Sequence, residues 1–348
     1  MPAAFARWSL AGARPAYYRL MIDWSQLQPD ADRPPDFERP ANGCMRTVEP
    51  CAPWRGVREQ LEALAARQRG GGWEALVVLW GTPSWAARPA AGCERAGTEP
   101  RSRMPRADAL PAYERVVTAI LAEAARAGVR LRFWSPWNEP NHPFSASPQR
   151  ARCAGGAATE APGPYAEVAA ALRRALGRAG GGRELVLGEL AGFIARRPRS
   201  TTVGELVAGL PRELVCAAPV VSVHAYLGGP DPVDALGAAL GAHGCRRAPQ
   251  VWITETGVDR ARGASAAAAR TACEAYGRRL ERWYRDPRVT AAIQYTLRED
   301  DRFRTGLVAT DLRAAFPQLG LWRAWSAAAR PRPSDPPPQG ACAATGPS

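Results

Sequence analysis

Residues 131–141 read Leu-Arg-Phe-Trp-Ser-Pro-Trp-Asn-Glu-Pro-Asn, and this stretch is the most informative part of the chain. An apolar, strand-like run at 131–134 leads directly into Asn138 and Glu139. A second stretch, residues 250–257, reads Gln-Val-Trp-Ile-Thr-Glu-Thr-Gly and places Glu255 after another apolar run. Both stretches are typical of a buried β-strand that ends in a glutamate. The sequence therefore predicts two carboxylates at the ends of two separate strands.

Strand-like and helix-like segments alternate on both sides of these stretches. The predicted strands are residues 17–23, 75–80, 129–134, 184–188, 220–224, 250–254 and 290–296, and the predicted helices are 56–69, 110–127, 165–178, 202–216, 232–240, 264–284 and 320–329. Pro211 is expected to kink or split its helix. Such alternation predicts an α/β fold with a parallel sheet, here a (β/α)8 barrel over residues 1–329. Residues 330–348 are rich in Pro, Ala and Ser and are predicted to be a disordered tail.

The two glutamates fit the chemistry of glycoside hydrolysis. A retaining glycosidase needs one carboxylic acid that protonates the leaving oxygen and one carboxylate that attacks the anomeric carbon. In a β/α barrel, such groups gather at the carboxyl ends of the strands. The alternative is that both are ordinary solvated glutamates at strand ends.

The two motifs resemble those of clan A glycoside hydrolases, the β/α-barrel glycosidases, of the family 39 and family 5 type. In that clan an Asn-Glu pair ends strand four and a second glutamate ends strand seven. The resemblance implies that Glu139 is the acid/base, that Asn138 binds the sugar 2-hydroxyl and that Glu255 is the nucleophile. Glu255 lies 116 residues after Glu139, which fits three intervening β/α units.

The strand count differs from that of the clan. The Asn-Glu strand is third here, so residues 17–23 match strand two of the clan, and residues 5–12 resemble the end of helix one. We therefore expect that strand one is missing and that the chain is truncated at its N-terminus. The alternative is that residues 3–11 form an irregular substitute strand.

The resemblance implies further site residues at other strand ends. Arg19, in the strand-two match, would bond the carboxylate of Glu255 and keep it ionised; an ordinary strand arginine is the alternative. His224 and Tyr226 end the strand-six match and would face the nucleophile, although a purely structural hydrogen bond is equally compatible. Tyr295 stands where the clan often has a tryptophan beneath the reacting sugar.

Tryptophans supply candidate sugar platforms, since aromatic faces pack on the apolar faces of pyranose rings. The candidates are Trp80, Trp85 and Trp137, although many of the 12 tryptophans must fill the core. Glu139 must begin the reaction protonated. We therefore expect burial and the neighbouring carboxylate to raise the pKa of Glu139.

The net charge of +13 is entirely due to arginine, because the chain contains no lysine. The arginines are scattered over the predicted helices, so nucleic-acid binding is disfavoured, whereas a preference for acidic glycans stays open. The chain contains no Cys-x-x-Cys motif, which would have indicated a metal or redox site. We therefore expect no metal and no other cofactor. The predicted partner is a carbohydrate, and the sequence does not indicate an oligomeric state.

Eight cysteines indicate a disulfide-permissive compartment. Cys44 and Cys51 bracket a short loop, Cys93 and Cys153 both follow strands, and Cys216 and Cys245 both precede strands. These three pairs are predicted among about 100 connectivities, with buried free thiols as the alternative. No apolar run reaches the roughly 20 residues of a membrane span, and the first 20 residues lack a signal-peptide core. We expect an extracellular or cell-envelope protein whose leader was lost with the truncated N-terminus.

Two interpretations of function follow. The first is a retaining glycoside hydrolase that cleaves O-glycosidic bonds, expected to be β-linked, of an oligo- or polysaccharide by double displacement. The second is an inactive or non-catalytic glycan-binding relative, or fragment, with the same fold.

Overall fold

The computed structural model describes residues 15–40, 55–154, 156–259, 265–299, 303–327, 335–338 and 340–342. Within these residues, seven parallel strands form one sheet whose spatial order follows the chain. The strands are β1 (Tyr17–Asp23), β2 (Glu74–Trp80), β3 (Phe133–Ser135), β4 (Glu184–Leu190), β5 (Val220–His224), β6 (Gln250–Thr256) and β7 (Val289–Gln294). The predicted α/β class and parallel sheet are confirmed.

Helices connect the strands and cover the outer face of the sheet. They are α1 (Trp24–Leu27), α2 (Val57–Gln68), α3 (Leu110–Ala127), α4 (Pro162–Ala179), α5 (Val203–Ala208), α6 (Arg212–Ala217), α7 (Val233–Ala242), α8 (Ala266–Arg285) and α9 (Gln318–Ala327). Local sequence sets several of these ends. Gly128 adopts a left-handed conformation after α3, Thr202 and Glu205 form a capping box at the start of α5, and Pro211 separates α5 from α6 as predicted.

The sheet is curled around an apolar interior. Leu76, Val78, Phe133, Val186, Val220 and Trp252 form one buried cluster there. Tyr17 of β1 packs against Trp252 of β6 with ring centroids 4.6 Å apart, although four strands separate them in the sheet. Side chains on the other face of the strands, such as Leu20 and Val77, join the larger core beneath the helices. Both faces are therefore buried, which explains why these strands are continuously apolar.

The sheet has seven strands in the described part of the chain, and no eighth strand joins β1 to β7 there. β7 is the least buried of the seven strands: most of its residues are half-buried and Thr290 is exposed. The structure is thus a curled parallel sheet consistent with a barrel-like glycosidase fold. The missing first strand stays a prediction, because residues 1–14 lie outside the described range.

Two strands differ from their predicted bounds. β3 contains only three residues, because residues 129–132 make no ladder with a neighbouring strand. β4 continues past Gly188 to Leu190, with a register shift against β5. Gly188 has φ +105°, and a Cβ there would lie 2.2 Å from the carbonyl oxygen of Ser222, so only glycine fits this close approach. The longer β4 carries Glu189 to the end of the sheet.

Three disulfides tie the loops together. Cys93–Cys153 and Cys216–Cys245 are confirmed, so free thiols are the wrong interpretation for these four residues. The predicted Cys44–Cys51 pair lies outside the described residues. A third bond, Cys273–Cys342, joins α8 to the tail. A covalent bond therefore holds Cys342 against the domain, and the disorder expected for residues 330–348 stays a prediction.

None of the helices in the described ranges combines the length and the apolar character that crossing a membrane requires.

Candidate active site

Five ionisable side chains meet at the carboxyl ends of the strands. They are Arg19 from β1, Glu139 from the loop after β3, Glu189 from β4, His224 from β5 and Glu255 from β6. The sequence predicted four of these five, and the structure brings all four together. Parallel strands present their carboxyl ends at one edge of the sheet, which is why residues so distant in sequence converge.

Glu255 is buried and is held from three sides. Arg19 Nη1 lies 2.7 Å from one carboxylate oxygen. The hydroxyl of Tyr226 donates to the other over 2.5 Å, and His224 Nδ1 lies 3.4 Å from that same oxygen. Burial, followed by the charge of Glu255, raises the pKa of Tyr226 well above its usual value, so this phenol stays a neutral donor. These three contacts fix the orientation of the Glu255 carboxylate.

Glu139 faces Glu255 across a short gap. One carboxylate oxygen of Glu139, one of Glu255 and a ring nitrogen of His224 all lie within 4.8 Å of one another. The other polar neighbour is Ser145, whose hydroxyl donates to Glu139 Oε2 over 3.4 Å. The backbone of Glu139 has φ +46°, a left-handed conformation that costs a non-glycine residue free energy. Its N–H donates to the carbonyl oxygen of Glu189 over 2.9 Å, which holds this unusual backbone in place.

The protonation of Glu139 differs from the expectation. Burial raises the pKa of Glu139, but the hydrogen bond and positive charge of His224 outweigh burial, so the net shift is downward. For His224 itself, burial lowers the pKa, yet Glu255, Glu139 and Glu189 together raise it to about 9. The expectation of a raised pKa for Glu139 is therefore wrong. His224 Nδ1 lies 3.0 Å from Glu139 Oε1, and the raised pKa of His224 together with the lowered pKa of Glu139 makes the histidine the donor of this bond.

Glu189 is the site residue that the sequence analysis missed. It is fully buried and accepts hydrogen bonds from Arg19 Nε over 2.6 Å and from the Ser222 hydroxyl over 2.9 Å. His224 Nε2 lies 3.6 Å from it. Burial raises the pKa of Glu189, but Arg19 and His224 outweigh it and lower the value to about 2. The available signal was a third glutamate at a strand end, which the prediction overlooked because it stopped the strand at Gly188.

Asn138 lies beside the two catalytic candidates. Its Oδ1 accepts a hydrogen bond from Arg19 Nη2 over 2.6 Å, which fixes the orientation of the amide. Within the described part of the chain, its NH₂ group has no hydrogen-bond acceptor. The donor group of Asn138 is therefore available to a ligand.

The aromatic candidates differ in how much of each ring is accessible. Trp137 is fully buried and its indole N–H donates to the Ser145 carbonyl oxygen over 2.9 Å. The prediction that Trp137 is a sugar platform is therefore wrong: the ring supports the loop from beneath. Trp80 is half-buried and has the Arg101 guanidinium 4.6 Å from its ring centroid.

Two further predicted aromatic residues keep accessible surface. Trp85 is half-buried, with its edge against Trp24. Tyr295 follows β7 and packs edge-on against Tyr226, with centroids 6.5 Å apart. Tyr295 therefore lies next to the phenol that bonds Glu255, at the side of the cleft where a platform was predicted.

Glu139, His224 and Glu255 also have the atom types and proximity of a metal site. Two neighbouring features disfavour a cation there. The Arg19 guanidinium already bonds Glu255, and the raised pKa of His224 favours its protonated form, which offers no lone pair to a metal.

Comparisons with known proteins agree with this geometry at the level of the fold. A family 39 glycoside hydrolase from Bacteroides cellulosilyticus WH2 superposes with a TM-score of 0.52 and 15% identity, covering 88% of this chain and 57% of that one. A family 39 β-xylosidase from Caulobacter crescentus gives 0.55 and 16%, covering 93% and 68%. The catalytic domain of the family 30 xylanase C from Talaromyces cellulolyticus gives 0.50 and 13%, covering 89% and 65%. These structural neighbours are clan A glycoside hydrolases, so the chain has the fold of that clan.

No protein-family model and no curated protein sequence matches the chain. The chain spans 57% and 65% of the length of two of these structural neighbours.

Proposed function

We propose that this chain is a retaining glycoside hydrolase that cleaves β-linked O-glycosidic bonds of an oligo- or polysaccharide. The observation that carries the proposal is the gap of at most 4.8 Å between carboxylate oxygens of Glu139 and Glu255. Retaining enzymes hold their carboxyl groups about 5 to 5.5 Å apart, whereas inverting enzymes need about 6.5 to 9.5 Å to admit a water. The short gap supports direct attack by one of the two glutamates.

The partners of each glutamate support their separate roles. Glu255, oriented by Arg19 and Tyr226, attacks the anomeric carbon, and the bond between that carbon and the leaving oxygen breaks. Glu139 gives a proton to the leaving oxygen. In the second step Glu139 takes a proton from water, and the water oxygen attacks the anomeric carbon and releases Glu255. Asn138, with its amide fixed by Arg19, binds the sugar 2-hydroxyl.

His224 supplies the proton that Glu139 gives to the leaving oxygen, because its pKa is raised while that of Glu139 is lowered. When Glu255 forms the covalent bond it loses its negative charge, and this charge is the largest of the contributions that raise the pKa of His224. The proton therefore moves from His224 to Glu139 as Glu139 protonates the leaving oxygen. After hydrolysis the charge of Glu255 returns, and the proton that Glu139 took from water passes to His224. No net proton is gained or lost over the cycle.

The disulfides support an oxidising location, because such bonds persist mainly outside the cytosol. We place the protein in the extracellular space or cell envelope, with a carbohydrate as its substrate.

The test is hydrolysis of a panel of 4-nitrophenyl glycosides, with the anomeric form of the first product followed by proton NMR. Retention of configuration is expected, and Glu255→Gln abolishes turnover. Glu139→Ala lowers kcat by about 10²- to 10⁴-fold on poor leaving groups. Added azide restores turnover of activated substrates in Glu139→Ala and yields a glycosyl azide of retained configuration.

Three outcomes would contradict the proposal: inversion, undiminished turnover in Glu255→Gln, or binding of oligosaccharides by the wild-type chain without any hydrolysis. The last outcome would instead identify a non-catalytic glycan-binding relative.

A further inference from the structure

Three aromatic rings are stacked in a row on the rim of the cleft. The ring of His142 lies between Phe144 and Phe193, with centroid distances of 5.2 and 5.3 Å and interplanar angles of 30° and 26°. An arginine covers each end: Arg95 lies 5.0 Å from the Phe144 ring and Arg197 lies 5.1 Å from the Phe193 ring. We call these five residues the arginine–aromatic row.

The loops that carry the row are firmly held. Asn141 is fully buried, and its Nδ2 donates to the carbonyl oxygens of Ala191 and Thr201 over 2.8 and 3.1 Å. These bonds join the loop after β3 to the loop after β4. The Cys93–Cys153 disulfide joins the loop after β2 to the loop after β3. The row is therefore a fixed feature of the rim, with its arginines positioned before any ligand arrives.

The row combines stacked rings with arginines that have no carboxylate partner. Four nearby arginines are paired with carboxylates, in the pairs Arg101–Asp23, Arg103–Glu94, Arg150–Glu205 and Arg196–Glu205, whereas Arg199 on the same loop as Arg197 has neither a carboxylate partner nor a ring contact among the described residues. Arg95 and Arg197 are exposed, and neither has a carboxylate partner among the residues that the structure describes. A guanidinium stacked on a ring keeps its in-plane N–H groups available for a bidentate bond to a carboxylate.

The row adjoins the group that protonates the leaving oxygen. The backbone N–H of His142 donates to the backbone carbonyl oxygen of Glu139 over 3.0 Å. Burial lowers the pKa of His142, so the central ring of the row is neutral near pH 7 and the positive charge lies at the two ends. Since Glu139 faces the glycosidic oxygen, the sugar attached to that oxygen lies on the side of this loop. The part of the substrate that contacts the row is therefore its leaving-group side.

We propose that the arginine–aromatic row is a leaving-group subsite for uronic-acid-containing saccharides, with Arg95 and Arg197 binding uronate carboxylates. The inference rests on the proposed glycosidase function and adds the chemical class of the substrate. It also gives a role to part of the unpaired positive charge of the chain. A glycan is favoured over nucleic acid because the row continues directly from the acid/base loop.

The experiment measures binding of acidic tetrasaccharides to the Glu255→Gln protein by titration calorimetry. Tetrasaccharides of oligogalacturonan, hyaluronan and heparosan are each compared with their carboxyl-reduced form, which differs only in the acid group. At least one acidic form is expected to bind about 10-fold or more tightly than its reduced form. A second substitution in the Glu255→Gln protein, Arg95→Gln or Arg197→Gln, is expected to weaken binding of the acidic form about 5- to 10-fold. Binding of the reduced form should not change.

Arg199→Gln is the matched control, because Arg199 is exposed on the same loop as Arg197 and contacts no ring. It should leave the affinity unchanged. The proposal is overturned if no pair shows a preference for the acid, or if Arg199→Gln weakens binding as much as Arg197→Gln. It is also overturned if single-stranded DNA of equal charge binds as tightly and loses the same affinity in the variants.

Hydrolysis of 4-nitrophenyl glycosides separates this inference from the proposed function, since their small leaving group carries no carboxylate for the row. Arg95→Gln and Arg197→Gln should leave that hydrolysis unchanged. If no aryl glycoside is cleaved, the glycosidase proposal fails, while the binding comparison still decides the subsite.

Discussion

Glu189 organises both positive charges of the site although it faces neither solvent nor substrate. It bonds Arg19, which in turn bonds Glu255, and it adds to the negative charge around His224. A buried carboxylate is costly unless its charge is compensated, and here two cations compensate it. Glu189 is therefore a positioning residue that acts through Arg19 and His224.

Glu189→Gln tests this role, because it keeps the shape and removes the charge. Without that charge the pKa of His224 falls from about 9 towards its ordinary 6.5, so the alkaline limb of kcat/KM moves to lower pH. Loss of one partner from a buried ion pair also costs about 3 to 5 kcal/mol in stability. The measurements are the pH profile on an aryl glycoside and urea unfolding.

Ser222→Ala is the control for Glu189→Gln. It removes the neutral hydrogen bond to Glu189 Oε1 and leaves the charge intact. It should cost about 1 to 3 kcal/mol in stability without moving the alkaline limb. If the alkaline limb of the kcat/KM profile does not move in Glu189→Gln, Glu189 contributes to stability alone.

Tyr226→Phe tests the second side chain that holds Glu255, the proposed nucleophile. The phenol donates a 2.5 Å bond to Glu255, and a hydrogen bond to a charged group contributes about 1.5 to 3 kcal/mol. We expect kcat/KM to fall about 10- to 100-fold. Tyr276→Phe is the control, because its hydroxyl donates to the Gln294 amide oxygen and not to a carboxylate; it should lower stability and leave kcat/KM unchanged. Equal effects of both variants on kcat/KM would argue against the role of Tyr226.

The sequence predicted which side chains meet but not how they share protons. The meeting of Arg19, His224 and Glu255 could be predicted, because the carboxyl ends of strands converge in a parallel sheet whatever their separation along the chain. The pKa of Glu139 depends on a bond to His224, 85 residues away, whose geometry follows from loop conformation. Trp137 was misjudged for a similar reason, since the direction of a side chain in an irregular loop has no sequence periodicity.

At the scale of elements, the alternation of strands and helices was predictable, because it follows from the periodicity of apolar residues and from the Gly and Pro residues that end the elements. Helix α3 has the predicted bounds, and Pro211 divides its helix as expected. The end of β4 was not predictable, because it depends on a close approach to β5 at Gly188. Contacts between distant segments, rather than local preference, decide such boundaries.

Two disulfides at opposite ends of the sheet have separable effects. Cys93–Cys153 joins loops at the active-site end, whereas Cys216–Cys245 joins α6 to the segment before β6 at the other end. Replacing either pair by serine should cost about 3 to 4 kcal/mol. Loss of Cys93–Cys153 should also raise KM for oligosaccharides, because it loosens the loops that carry the arginine–aromatic row.

The Cys216–Cys245 variant is the matched control for that effect. Assayed below its melting temperature, it should keep the wild-type KM. If both pairs raised KM equally, the effect would reflect general loosening of the fold. Urea unfolding and KM for the tetrasaccharides decide between these outcomes.

For the whole molecule, the buried charge cluster sets how stability depends on pH. The pKa of Glu189 is about 2 in the folded chain and 4.5 ordinarily. Its contribution to the free energy of unfolding is therefore complete above pH 4.5 and is lost as the pH falls through 2. The pKa of His224 is raised from 6.5 to about 9, so its contribution is complete below pH 6.5 and is lost as the pH rises through 9. Between pH 4.5 and 6.5 both contributions are present.

The alkaline side of this window gives the last prediction. Between pH 6.5 and 9 the folded chain holds a proton on His224 that the unfolded chain releases, so the free energy of unfolding falls by up to about 1.4 kcal/mol per pH unit. Guanidinium unfolding of the wild type and of His224→Gln across this range measures the slope. The variant should be less stable at pH 6.5 and should approach the wild type at pH 9. Parallel curves would mean that His224 is neutral in the folded protein, and the proton relay to Glu139 would then lose its source.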